Sequence, residues 1–434
     1  MKIRNIFYIV ATTLFSLTLA SCYIIEVPNK QPIKPLIQQP APNYSSQEPV
    51  EVKQYKKLKV AIMLPLTGKD SEIGQSMLNA INISLFDNDS DGRVELVIFD
   101  NKSSDLESKK AIQDIADKNI KLVIGPIFTN SIESISQIAS ENNISVISFS
   151  NNSDLINQKG IFLAGFSLEQ EIDRITSYLI NNGNINFSLI TQNDQYGIRV
   201  AKTLRKMVEA KDGNFISSQF YANSQSDFTK TAQKAVNSYI ISKYKDNYKA
   251  ELGAIEDLEE RKARELEIMS NHKIYPNTIL ITESSSKTSN IIKAVRDNNK
   301  DGRNIQIIGT SHWDKDLITK DPNMDGVLFA ESDNIYFNKF AEKYRKIYHQ
   351  NPSKIDSIAY DITAFVIDLS DEINDEKLIN SAIVNFNNKK GYRGINGLFR
   401  FLPNGLVERN LAVMKIKNRE SQQVSKASSA FIKY

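Results

Sequence analysis

Along this chain, apolar runs alternate with polar turns and with amphipathic stretches of helical spacing. The sharpest run is Val60 to Leu64, closed by Pro65 and Gly68. An unbroken apolar run of this kind suits a strand buried on both faces of a parallel sheet. Behind the turn, Ile73, Met77, Leu78, Ile81 and Leu85 keep helical spacing, with Asn82 and Ser84 on the other side. Strand, tight loop and helix open a doubly wound α/β domain, where ligands sit outside the carboxyl ends of the strands. The unit then repeats. Strands are predicted at Val94–Asp100, Lys121–Ile124 and Ser145–Phe149, with helices at Ser104–Lys118 and Ser131–Asn142. A second set follows Phe162–Phe166. It has a helix over Glu169–Asn182, a strand at Phe187–Thr191 and a helix running through Met207. Further strands fall at Phe215–Tyr221, Thr278–Thr282 and Ile305–Gly309.

The remaining pattern is less regular. Residues 238–272 are long and charged, with Leu252, Ile255, Leu258 and Leu266 as the main apolar positions. They read as a solvated helix or helical hairpin, with a partner-docking arm as the alternative. Phe337, Phe340, Tyr344 and Tyr348 form an aromatic stripe on a helix spanning Ile335–Tyr348. A second late helix covers Ser357–Ser370. Leu398–Phe401, the turn Pro403-Asn404-Gly405 and Val407–Ile416 read as a β-hairpin. A polar tail follows Asn418, expected to be loose.

At 434 residues, two domains with real cores are affordable. The formal charge of +3 is too small to imply a nucleic-acid partner. The N-terminus carries Lys2 and Arg4, an apolar run from Ile6 to Ala20, and then Leu19-Ala20-Ser21-Cys22. This is the layout of a secretory leader, too short for a membrane span. Cys22 is the sole cysteine, so disulfides and thiolate metal sites are excluded. Residues 23–57 hold Pro28, Pro32, Pro35, Pro40, Pro42 and Pro49, a tether that extends roughly 100 Å at about 3 Å per residue.

Candidate chemistry is sparse. Asp87–Gly92 and Asp297–Gly302 imitate the start of a calcium loop, but the twelfth places are Ile98 and Ile308 rather than glutamate. Both are read as helix-to-strand turns. Gly125–Thr129 lacks the Lys-Ser/Thr of a phosphate loop, and no Gly-x-Ser-x-Gly or His-Glu-x-x-His occurs. His272, His312 and His349 are isolated, with His312 the one lying just past a strand end. No catalytic residue, metal or cofactor is assigned, and the chain reads as a cleft protein rather than an enzyme.

Leu64–Gly68, Ile124-Gly125-Pro126, Ile147–Asn151, Asp194–Gly197, Ala359-Tyr360-Asp361 and Gly394–Phe401 together resemble the type I periplasmic-binding-protein fold of the Leu/Ile/Val-binding family. That resemblance implies two lobes, each a mainly parallel sheet flanked by helices, with a C-terminal β-hairpin. Lobe 1 would be 58–165 and 331–397, lobe 2 would be 166–330 and 398–418 with the insert 238–272, and 419–434 a flexible tail. The residues up to Cys22 resemble a lipobox, which implies lipidation at Cys22 and a membrane anchor. Tyr23 is not the aspartate associated with inner-membrane retention, so the outer membrane is the expected anchor site. Within the family the chain looks most like the penicillin-binding-protein-activator lipoproteins, through Leu64–Gly68, the charged insert and Leu406–Val413. This implies a peptidoglycan-synthase partner. The helical-repeat domain that fuller members carry ahead of the fold is replaced by the Pro-rich tether.

The amino-acid-binding members imply a ligand-binding set of Thr67, Thr129, Ser148, Ser150, Asn151, Tyr196, Glu283 and His312. Thr129 would meet a ligand carboxylate, Ser150 and Asn151 would clamp it, and Tyr196 would pack from lobe 2. The acidic residue for a ligand ammonium falls near Ser311 or His312, neither acidic, leaving Glu283 as the substitute. A buried ammonium needs a carboxylate partner. The favoured expectation is a regulator of cell-wall synthesis, and the alternative is a receptor delivering a small polar solute to an ABC importer.

Overall fold

The computed structural model describes residues 57–434 apart from 157, 242–244, 284–286, 311–318, 333–335, 374–378, 386–389 and 432–434. The leader, Cys22, tether residues 23–56 and His312 lie outside the described residues. The predicted opening strand is β1 (Leu58–Leu64), followed by α1 (Ser71–Asn88), β2 (Val94–Asp100), α2 (Asp105–Asp117), β3 (Leu122–Ile124), α3 (Thr129–Glu141), β4 (Ser145–Ser148) and β5 (Ile161–Leu163). These strands make a five-stranded parallel sheet in the order β2-β1-β3-β4-β5. Val60, Ile62 and Leu64 face one helical layer. Ala61 and Met63 face the other, and all five are fully buried. Burial on both faces is why this run carries no polar alternation.

The second set forms α4 (Leu168–Asn181), β6 (Asn186–Gln192), α5 (Gln195–Glu209), β7 (Asn214–Tyr221) and α6 (Thr229–Asn237). After the insert come β10 (Thr278–Ile281), α9 (Lys287–Asn298), β11 (Gln306–Ile308) and β12 (Leu328–Ser332). With β16 (Leu411–Lys417) and β17 (Glu420–Ser425) they build a seven-stranded sheet, order β17-β16-β12-β11-β10-β6-β7, whose last-joined pair β16 and β17 is antiparallel. The charged insert is a helical hairpin, α7 (Lys245–Ala254) and α8 (Leu258–Asn271). It is tied at its base by the two-stranded pair β8 (Ile240–Ile241) and β9 (Lys273–Ile274). Leu258 and Leu266 are exposed on it, while Ile268 is buried.

The last third returns to lobe 1 through α10 (Phe337–Tyr348), α11 (Lys354–Leu369), α12 (Ile379–Asn385), β13 (Tyr392–Gly394), β14 (Gly397–Phe401) and β15 (Val407–Arg409). The expected hairpin exists as β14·β15, but it belongs to lobe 1, not lobe 2. Phe399, Phe401 and Val407 pack with Ile62 and Leu64, and Leu406 bridges to Leu163. The reason is aromatic packing: Phe365 of α11 meets Phe399 at 5.8 Å and Phe401 at 5.6 Å. The crossing into lobe 2 comes only after Arg409. Residues 420–425, placed in the loose tail, are instead strand β17, paired along β16. At the other boundary, β12 keeps Glu331 and Ser332 in the lobe 2 sheet, where they pair with Ala412 and Leu411.

The two calcium-like segments are turns. Asp89 accepts the backbone N–H of Arg93 at 2.8 Å and of Val94 at 3.1 Å, which delivers the chain into β2.

Candidate functional site

The chain passes between the lobes after β5, after β12 and after β15, and one cluster ties these crossings. Arg409 is buried. Its Nη2 donates to Ala164 O at 2.9 Å, its N–H donates to Gln170 Oε1 at 2.9 Å, and its guanidinium lies 5.1 Å from the Phe166 ring and 5.0 Å from that of Phe399. Lys354 Nζ sits 4.0 Å from the centroid of the same Phe166 ring and 4.0 Å from Glu331 Oε1. Behind Arg409, Asp361 accepts the N–H of Ile395 at 2.7 Å, the N–H of Asn396 at 3.1 Å and the Asn396 Nδ2 at 2.9 Å. Burial pushes the Asp361 carboxyl up to about 6, against the opposing pull of Asn396, Arg409 and the two backbone amides. The motifs around Asp361 and Asn396, far apart in sequence, are thus one hydrogen-bonded unit.

On lobe 1, the candidate residues stand at the carboxyl ends of β3 and β4. Gly125 is what allows this. Its φ is +104°, and a Cβ there would lie 2.0 Å from Met63 O. The turn it makes delivers Thr129 as the first residue of α3. Thr129 Oγ1 and Ser150 Oγ share a hydrogen bond of 3.2 Å. Ser150 Oγ also accepts the N–H of Asn152 at 3.1 Å. On lobe 2, Asp194 caps α5 by accepting the Gly197 N–H at 2.7 Å, which fixes Tyr196 in the first turn. One turn on, Arg199 places its guanidinium 5.8 Å from the Tyr196 ring and donates from Nη1 to Asn152 Oδ1 at 3.0 Å. Thr129, Ser150, Asn152, Arg199 and Tyr196 therefore form one polar chain from lobe 1 to lobe 2. A second bridge runs beside it, Ser153 Oγ donating to Glu169 Oε1 at 2.8 Å. Burial, reinforced by Glu171, pushes the Tyr196 hydroxyl up against the pull of Arg199 and Thr310.

The other members of the expected set stand elsewhere. Thr67 gives its hydroxyl to Asp100 Oδ2 at 2.5 Å, which holds the loop after β1 in place. Ser148 is fully buried, donating to Pro126 O at 2.7 Å and accepting the Ser150 N–H at 3.1 Å, so it braces the loop. Asn151 is half-buried next to this chain. Glu283 accepts the Tyr221 hydroxyl at 2.6 Å. Beside the loop after β1, an open pocket of about 620 Å³ is lined by Leu66, Ile73, Gln75, Ser76, Asn351 and Ser353. Sequence reasoning did not single out Asn152, Arg199 or Arg409. For Arg199 a signal existed, since three residues after Tyr196 on a helix is the same face.

Two α/β lobes with polar loops meeting at strand ends define the two-lobe cleft architecture. A family model for periplasmic binding proteins matches residues 57–422, and the chain belongs to that family. An uncharacterized protein of Rickettsia prowazekii is 20% identical over 373 residues, covering 85% of this chain and 89% of that protein. Among solved structures, a branched-chain amino acid ABC transporter periplasmic ligand-binding protein from Burkholderia xenovorans superposes with a TM-score of 0.63 at 12% identity, covering 86% of this chain and 96% of that one. A branched-chain amino acid substrate-binding protein from Streptococcus pneumoniae, in complex with isoleucine, gives 0.54 at 16% identity over 86% and 100%. A solute-binding protein from R. palustris, in complex with benzoate, gives 0.55 at 16% identity over 87% and 98%. At these identities the likeness carries the two-lobe fold.

Proposed function

We propose that this protein is a periplasmic solute receptor that captures a small polar molecule between its lobes for an ABC importer. The observation that carries this reading is the polar chain Thr129–Ser150–Asn152–Arg199 beside Tyr196, which joins the lobes at the strand ends. Neutral hydroxyls on lobe 1 and an aromatic ring on lobe 2 offer orientation and packing to a solute, the mix that small-molecule clefts use. The solved neighbours above include proteins in complex with isoleucine and with benzoate. Cys22 is the proposed lipid attachment point and the Pro-rich segment the tether, with the outer membrane as the proposed anchor.

Calorimetry with a panel of amino acids, short peptides and organic acids tests this. A panel member binds with micromolar affinity, and Tyr196→Ala weakens it at least tenfold. Absence of binding across the panel overturns the reading. The second reading, a regulator of peptidoglycan synthesis, draws on the protruding hairpin α7–α8 with exposed Leu258 and Leu266. Recovery of a peptidoglycan synthase from envelope extract, lost on replacing both leucines with glutamate, would favour it.

A further inference from the structure

Arg199 is under-used by the protein that holds it. Its Nη1 shares Asn152 Oδ1 with the Asp154 N–H, which donates to the same oxygen at 3.2 Å. Its Nε is buried and has no hydrogen-bond partner among the described residues. A guanidinium presents its donors as a planar fork that a carboxylate fills with two parallel bonds, whereas one amide oxygen fills a single place. Among the described residues, the acidic groups at this face are engaged or turned away. Glu169 takes hydroxyls from Ser153 and Ser167 on its two oxygens, at 2.8 and 3.0 Å, and Glu283 takes the hydroxyl of Tyr221. Glu171 is buried on α4 beside Tyr196. On lobe 1, Thr129 and Ser150 are neutral. Among the described residues, Arg199 is thus a cation that faces the strand-end loops, on the lobe opposite the hydroxyls.

We propose that Arg199 reads the charge of the solute, exchanging Asn152 for a ligand carboxylate, so that the cleft selects small organic acids without requiring an ammonium group. This rests on the cleft being a solute site. The geometry gives Arg199 a second role. While it bonds Asn152 it fastens lobe to lobe, and a carboxylate inserted between them replaces one neutral acceptor with a charged, bidentate one.

The test is calorimetry of the full chain with four probes: 4-methylpentanoate, its neutral analogue 4-methylpentanamide, leucine, which is the same skeleton bearing an ammonium, and benzoate. At least one of the two acids binds the wild type. For 4-methylpentanoate the amide binds at least 30-fold more weakly, and leucine gains nothing from its ammonium. Arg199→Gln weakens the acid at least tenfold, Arg199→Lys recovers part of the loss, and both variants keep the wild-type circular dichroism melt. Equal binding of acid and amide overturns the proposal, as does an unchanged acid affinity in Arg199→Gln. So does leucine binding more than tenfold tighter than both acids. If a different solute from the wider panel binds while both acids fail, this inference alone falls. If nothing in the panel binds, the receptor reading falls with it.

Discussion

Asp361→Asn separates two forces that meet at the hinge. The carboxylate accepts three N–H donors and lies near Arg409, all of which favour its ionised form. It is also fully buried, which favours the neutral form, and burial prevails, raising it from 3.8 to about 6. A folded value above the unfolded one means that the native state holds the extra proton in between. The stabilisation is complete below the unfolded value near 3.8 and is lost as pH climbs through about 6. A shift of about two units corresponds to about 3 kcal/mol. The asparagine variant keeps the shape without the titration. It also keeps an imperfect match to the three donors, costing about 1–3 kcal/mol at pH 4.5. Urea unfolding of both proteins from pH 4.5 to 7.5, followed by circular dichroism, gives two stability curves in which other carboxylates cancel. The wild type's advantage shrinks with rising pH by about 2 kcal/mol across this window, the first part of the loss falling below pH 4.5. An advantage that grows with pH would refute the reasoning, since it would mean that the donors and Arg409 outweigh burial.

Further perturbations follow from the same contacts. Gly125→Ala, with φ at +104° and a Cβ 2.0 Å from Met63 O, should cost about 3 kcal/mol or more in urea unfolding. The comparison is Gly183→Ala, where φ is +87° but nothing lies within 4 Å, which should cost about 1 kcal/mol. Phe399→Ala empties a fully buried site between Phe365, Tyr392 and Arg409 and should cost about 3–5 kcal/mol. Phe86→Ala, at an 84% exposed position whose ring lies 5.3 Å from Lys343 Nζ, should cost no more than about 1 kcal/mol, and a larger loss would place Phe86 in a contact beyond that one.

The unbroken run Val60 to Leu64 determined its own outcome. A strand without polar positions has to be covered on both faces, and the helical spacing of Ile81 and Ile112 supplied the covers. The order of βα units and the turn character of Asp87–Gly92 were equally legible, because each rests on residues within a few positions of one another. The placement of Thr129 and Ser150 side by side follows from parallel strands ending at one edge, which alternation alone implies. What the tertiary structure decided is where sheets exchange chain. Leu398–Phe401 and Leu411–Lys417 read as neighbouring strands, yet they join different sheets, because Phe399 and Phe401 find Phe365 while Val413 pairs across to Ala330. Nothing local distinguishes those partners. The same holds for Asp361 with Asn396 and for Arg199 with Asn152, pairs separated by 35 and 47 positions, whose meaning appears only when distant segments are brought into hydrogen-bond range. Periodicity reports which face of an element is buried, and only packing reports against what.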